Sequence, residues 1–158
     1  MIERCTQYWH QRKAAYNGCD IHPDFIYYQN FAEWCNAQIG FGKVGFQLDK
    51  DILVPGNRTY GPDTCCFVPR RINLLMIQNG KGVYPMGVSL DSNRGLFYAE
   101  LSIDGKNKKL GRFETPEDAH AAYCLAKKAE VDKYAMLWKD QIDPRVYEAL
   151  LAYDPSRK

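Results

Sequence analysis

The sequence predicts an α+β fold in two parts. An N-terminal helical layer carries a β-hairpin that runs into a helix; a three-stranded antiparallel sheet packed on one helix follows, plus a C-terminal helix. Three observations predict it. Apolar and polar residues alternate at period two in 46–53 and again in 96–103. Turn chemistry punctuates these runs at Pro55-Gly56-Asn57, Tyr60-Gly61-Pro62-Asp63 and Asp104-Gly105. Helix-start signals, Thr115-Pro116-Glu117-Asp118 and Asp143-Pro144, stand before stripes of helical spacing.

From the start of the chain, Ile2, Cys5, Tyr8 and Trp9 fall on one helical stripe. Tyr16-Asn17-Gly18 reads as a turn, and 25–28 as a short extended piece or the opening of the next helix. Phe31, Trp34 and Cys35 make a second helical face, ended by Gly40. These aromatics read as core packed on the hairpin. In the hairpin, Phe46, Leu48 and Ile52 oppose Gln47, Asp49 and Asp51, and 64–68 is the second strand. Pro69 suits the first turn of a helix carrying Ile72, Leu75 and Met76, and Asn79-Gly80 stops it. The glycine-bearing stretch 79–83 is the expected linker between domains 1–80 and 81–158.

The second domain reads as strands over 84–90, 96–103 and 106–113, joined by turns at 91–95 and Asp104-Gly105. Thr115 is the expected N-cap of a helix with Pro116 at its first position and acids in its first turn. Ala119, Ala122, Tyr123, Ala126 and Ala129 form a small-residue stripe that lets this helix lie close on the sheet. Val146, Leu150, Leu151 and Tyr153 give the final helix its apolar face, expected to dock on the second domain.

Chemistry concentrates on the hairpin. Asp49 and Asp51, two apart on a strand, are expected to leave one face, with Lys50 on the other. Asn73 projects from the following helix. A carboxylate and an amide oxygen brought together this way suit a hard divalent cation. The alternative is a solvated acidic edge beside a helix-surface Asn.

With 158 residues and a formal net charge of +2, the chain has no bulk charge to attract nucleic acid, so any such surface needs local patterning. Residues 81–113 hold six basic residues (Lys81, Arg94, Lys106, Lys108, Lys109, Arg112) against three acids. The N-terminal residues lead into no apolar signal segment and no run reaches membrane-spanning length, so a soluble, cytoplasmic protein without membrane partners is expected. The six cysteines form no C-x-x-C pair; convergence of Cys5, Cys19, His22 and Cys65 or Cys66 on zinc is the alternative to buried free thiols, and structural zinc is not expected.

Two family resemblances sharpen these readings. The stretch 48–73, LDKDILVPGNRTYGPDTCCFVPRRIN, resembles the ββα-metal hairpin of phage-type HNH homing endonucleases. Asp49-Lys50 takes the place of the family's Asp-His, 64–68 its second strand, and Asn73 its helix asparagine. The resemblance implies Asp49 and Asn73 as metal ligands, with Asp51 a third candidate, magnesium or manganese as the cofactor, and Asp49, Lys50 and Asn73 at the catalytic centre. Two departures stand out. Lys50 replaces the histidine that activates water, and a lysine ordinarily keeps its proton at neutral pH. Thr64 replaces the asparagine that braces the hairpin. LDKDIL-type strands occur in phage proteins that join this hairpin to a DNA-binding domain, so Lys50 reads as a subfamily trait. His10 and His22 are the histidines nearest the hairpin in sequence, each a substitute base or a surface or capping residue.

The second domain resembles the Apetala-type (ethylene-response-factor) DNA-binding domain known from plants and phage endonucleases. Gly87-Val88, Tyr98-Ala99-Glu100-Leu101, Leu110-Gly111-Arg112-Phe113-Glu114-Thr115 and Glu117-Asp118-Ala119-His120-Ala121-Ala122-Tyr123 carry it. It implies a sheet with the helix on one face and the major groove of double-stranded DNA on the other. Tyr98, Glu100 and Ser102 face the DNA in that reading, while Arg94, Lys106, Lys108, Lys109 and Arg112 neutralise phosphates; Arg70 and Arg71 do so beside the hairpin. Met86, Ser89 and Lys109 stand where the plant pattern has base-reading arginines and a tryptophan, so altered selectivity is expected. Together the resemblances imply a phage-type, metal-dependent DNA endonuclease in an infected bacterial cell. The alternatives are a DNA-binding protein that keeps the hairpin as structure, and an interaction factor using the aromatic N-terminal layer.

Overall fold

The computed structural model describes residues 5, 17–77, 82–103 and 105–157. The chain is mixed α and β, with five helices and seven strands among the described residues. It divides into two compact units, Met1–Asn73 with Trp138–Ala149, and Leu74–Leu137 with Leu150–Lys158. The stripe expected at Ile2, Tyr8 and Trp9, the turn residue Tyr16, and the linker as far as Lys81 lie outside the described residues.

In the first unit, a two-residue strand β1 (Asp20–Ile21) leads into short helix α1 (Pro23–Ile26) and then α2 (Tyr28–Asn36). His22 caps α1, its Nδ1 accepting the Asp24 N–H at 3.3 Å. β2 (Phe46–Asp49) pairs antiparallel with β4 (Cys66–Pro69) in the register Phe46↔Pro69 to Asp49↔Cys66. A parallel pair of two residues each, β1 with β3 (Thr59–Tyr60), ties the entry segment to the loop between β2 and β4. β4 runs directly into α3 (Arg70–Met76).

Alternation assigns the two faces of the β2–β4 pair. Phe46, Leu48 and Phe67 share one face; the Phe67 ring lies 6.0 Å from Trp34 and 5.3 Å from Phe41, so the aromatic layer packs on the hairpin as expected. Gln47, Asp49, Cys66 and Val68 share the other. Phe25, Val68 and Ile72 are fully buried, each contributing about 1.5–3 kcal/mol of hydrophobic stabilisation. Residues 138–149 belong to this first unit, where Trp138 meets Phe46 edge-on at 5.8 Å. Docking of the whole tail on the second domain is therefore corrected.

The second unit is a three-stranded antiparallel sheet in the order β5 (Val88–Asp91), β6 (Leu96–Ile103), β7 (Lys106–Phe113), packed on α4 (Pro116–Trp138). The last two strands lie where alternation puts them; β5 begins at Val88 rather than Tyr84. Val88, Ala99 and Leu101 from the sheet and Ala119 and Tyr123 from α4 make the core. Thr115 Oγ1 accepts the Asp118 N–H at 3.1 Å and donates to Asp118 Oδ2 at 2.7 Å, a reciprocal cap that fixes the start of α4. Asp143 caps α5 (Pro144–Leu151) by accepting the Arg145 N–H at 2.8 Å. Lys127, on α4, is buried, and its ammonium donates to the Leu75 carbonyl. Among the described residues no helix is long and apolar enough to cross a membrane.

Gly87 is the tightest point of this second core. Its φ is +78°, and a Cβ there would stand 2.0 Å from Tyr123 Cδ2. Gly87→Ala is expected to lower stability by about 2–4 kcal/mol through overpacking and backbone strain. Urea unfolding measures it, and Tyr123→Leu in the same chain should recover part of the loss.

Candidate functional site

The end of β2 is where the hairpin departs from its expected form. Alternation predicts a strand to residue 53, but the strand stops at Asp49. Asp49 Oδ1 accepts the N–H groups of Asp51 at 2.9 Å and Ile52 at 2.8 Å, offering the backbone a turn in place of the ladder. The chain bends, and Ile52 is buried by the turn rather than by strand alternation. Asp49 and Asp51 still come together, through the turn and not through a shared strand face. Burial first, and the neighbouring Asp51 charge second, push the Asp49 carboxyl up to about 6, against the two backbone hydrogen bonds that favour its ionised form.

Lys50 does not stand apart from this acid pair. Its Nζ donates to Asp51 Oδ2 at 3.1 Å and to the Asn57 carbonyl at 3.2 Å, and lies 5.9 Å from the centre of the Tyr60 ring. With 8 % of its surface exposed, Lys50 is a fastener of the loop that follows β2. Asn57 closes the same loop. Its Nδ2 donates to the Lys50 carbonyl at 2.5 Å and the Thr59 carbonyl at 2.8 Å, and its Oδ1 accepts the Thr59 N–H at 3.2 Å. Thr64, expected on the second strand, sits in the turn before it and donates to the Thr59 carbonyl at 2.8 Å. The principal brace is thus Asn57, a residue that sequence reasoning treated only as turn chemistry in Pro55-Gly56-Asn57. Its turn composition carries no signal of this role, because composition does not say which carbonyls the amide meets once the loop doubles back.

Asn73 reaches from α3 to the other end of β2, its Nδ2 donating to Gln47 Oε1 at 3.2 Å. Gln47 and Asp49 are two apart on one strand, so Asn73 lies over the strand face that carries Asp49. Arg70 and Arg71 are exposed at the start of α3. Among the described residues no group of three or more His, Cys, Asp or Glu is arranged to hold a metal ion. Asp49, Asp51 and the Asn73 amide are the oxygen donors that the sequence reading named on this hairpin. His22 is occupied as a helix cap, and His10 lies outside the described residues. Cys19 and Cys65 share a hydrophobic core with Phe25 and Tyr60, and Cys5 packs against it; all six thiols are free. Burial holds the Cys65 thiol up at about 11, and that of Cys66 higher still.

The second candidate surface is the sheet face away from α4. Ala99 and Leu101 point into the core, so Tyr98, Glu100 and Ser102 point away from it. Across the ladder, Ser89 pairs with Tyr98, Tyr98 with Arg112, Glu100 with Lys109, and Ser102 with Asn107. On an unbroken strand Lys109 and Arg112, three apart, would point to opposite faces. The register shifts between Ala99 and Glu100, leaving Leu110 as an extra residue on β7. This bulge turns Arg112 onto the open face beside Lys109. Gly111 makes it possible, with φ +149° and space for a Cβ only 3.1 Å from Phe113 Cζ. Lys106 and Lys108 pair with Ile103 and Leu101 and so leave from the helix side. The expected cationic footprint is therefore divided between two faces, with exposed Arg94 in the β5–β6 turn.

Comparison with protein-family models, with curated proteins and with solved structures finds no match to this chain.

The raised Asp49 carboxyl fixes a pH dependence. Its proton is held more tightly folded than unfolded, so its contribution to stability is complete below about pH 4 and is lost as pH rises through about 6. Asp49→Asn keeps an Oδ1 to accept both backbone N–H groups and carries no charge. Urea unfolding across a pH series should show variant and wild type equal near pH 4, with the variant ahead by on the order of 2–3 kcal/mol above pH 7. Asn57→Ala should cost about 1–3 kcal/mol at every pH, because it strands the Lys50 carbonyl and the Thr59 N–H, while the Thr59 carbonyl keeps the Thr64 hydroxyl.

Proposed function

We propose that the protein is a divalent-metal-dependent endonuclease that nicks or cleaves duplex DNA and is brought to its target by the three-stranded sheet. One observation carries this reading: β4, paired with β2, runs straight into α3, with the Asp49 carboxyl buried at the end of β2 and the Asn73 amide anchored on the same strand face. Both side chains offer hard oxygens. Asp49, driven toward its neutral form by burial and by Asp51, is a carboxyl that gains from a nearby cation as much as from a proton. Asp49 and Asn73 would hold magnesium or manganese, with Asp51 the third donor. The chemistry such an ion would supply is polarisation of the scissile phosphate and stabilisation of the leaving oxygen. With its N–H committed to Gln47, Asn73 offers Oδ1. Arg70 and Arg71 hold an adjacent phosphate. Lys50, in the place of the resembled family's histidine, holds the loop rather than taking a proton from water, since its Nζ already donates to Asp51 and Asn57. The cytoplasm of a bacterial host is the compartment this reading implies.

The same Lys50 contacts favour the second reading, a DNA-binding protein in which the hairpin is structural. Asp49 Oδ1, spent on two backbone N–H groups, favours it too.

Supercoiled plasmid with magnesium or manganese separates the two. Under the first reading the wild-type protein converts plasmid to open-circle or linear form, and Asp49→Ala and Asn73→Ala each reduce the rate by at least about 100-fold (removal of a metal ligand). Equal plasmid loss in all three preparations defeats it. Salt-sensitive duplex binding with no cleavage under any metal supports the second reading.

A further inference from the structure

The open sheet face carries two acids and two cations, with one of each joined in an ion pair. Asp91, Tyr98, Glu100, Lys109, Gly111 and Arg112 line one shallow concavity. Arg112 Nε lies 3.4 Å from Asp91 Oδ2, and the acid is the more buried partner, 19 % exposed against 46 %. Asp91 is itself fixed at the end of β5, where its carbonyl accepts the N–H groups of Arg94 at 3.0 Å and Gly95 at 2.9 Å. Lys109 stands across from Glu100. Two acids against two cations make a poor clamp for phosphate, whose charge gains nothing from a neutralised pair and is repelled by the acids. Base edges are different, because they present donors and acceptors together.

We propose that Arg112 reads a guanine through its O6 and N7, and that Asp91 is a positioning residue for it; this rests on the reading that the sheet binds duplex DNA. A guanidinium has one Nε–H and four Nη–H donors. With Nε turned to Asp91, the two Nη groups form the end that meets guanine with parallel hydrogen bonds, the commonest specific arginine contact. The Leu110 bulge and Gly111 are what aim the side chain at the groove instead of under the sheet. Arg94, exposed in the β5–β6 turn and away from this concavity, is left to the phosphates.

The experiment selects bound sequences from a pool of duplex oligonucleotides with a randomised core. It uses the full chain as wild type, Asp91→Asn, Arg112→Lys and Arg112→Ala, each checked for an unchanged thermal melt. Wild type should enrich a motif containing a guanine. All three variants should lose about 10- to 100-fold preference at that one position, with other positions and binding to the unselected pool changed less than about 3-fold. Placing 7-deazaguanine at that position, which deletes the N7 acceptor, should weaken wild type and leave Arg112→Ala unaffected. A wild-type motif retained at every position by Asp91→Asn and Arg112→Ala overturns the inference and leaves duplex binding standing. Failure of the wild-type protein to bind any duplex overturns the underlying reading, and the inference with it.

Discussion

A carboxylate that takes two backbone N–H groups is the constraint on which the hairpin rests. By accepting from Asp51 and Ile52, Asp49 ends β2 and turns the chain. Ile52 then goes into the core, and Lys50 swings back toward Asn57 and Tyr60. The groups assembled around this turn are polar and substantially buried, so each depends on the others for its partners. Burying an acid beside a second acid is costly; it survives because hydrogen bonds and a lysine surround it.

Much of the architecture was legible in the sequence because local and global preferences agree there. Strands β6 and β7, the Thr115 cap of α4 and the Asp143 cap of α5 all stand where alternation and capping chemistry put them. The reading failed where a side chain outbid the ladder. Alternation continues past Asp49 in the sequence, so nothing in periodicity reveals that Oδ1 captures the backbone. The pairing of Asp20–Ile21 with Thr59–Tyr60 is parallel and two residues long, too short to leave a pattern. The bulge at Leu110 is also invisible to period counting, which assumes one residue per step and so assigns faces wrongly beyond it.

The candidate site was half legible. Asp49 and Asn73 lie on one side of β2, as the hairpin resemblance implies. Thr64 in place of the family's asparagine reads as a lost brace, because residue-by-residue matching cannot see that Asn57, in a loop of ordinary turn composition, bridges three backbone groups. The cations of the second unit were read as a single patch; register sorts them into two sets with different prospects, Arg112 and Lys109 on one face, Lys106 and Lys108 on the other. Composition counts charges, and only pairing says which of them act together.

The buried Lys127 has an effect of its own. Desolvation weakens its hold on its proton, while its partner, the Leu75 carbonyl, still accepts from a neutral amine, though less strongly than from an ammonium. Loss of that proton therefore does not release the link between α4 and the end of α3; it removes the penalty of a charge kept from water. The second unit should consequently tolerate mildly alkaline conditions better than its lysine content suggests, since the unfolded chain must reclaim the proton that the folded one can do without.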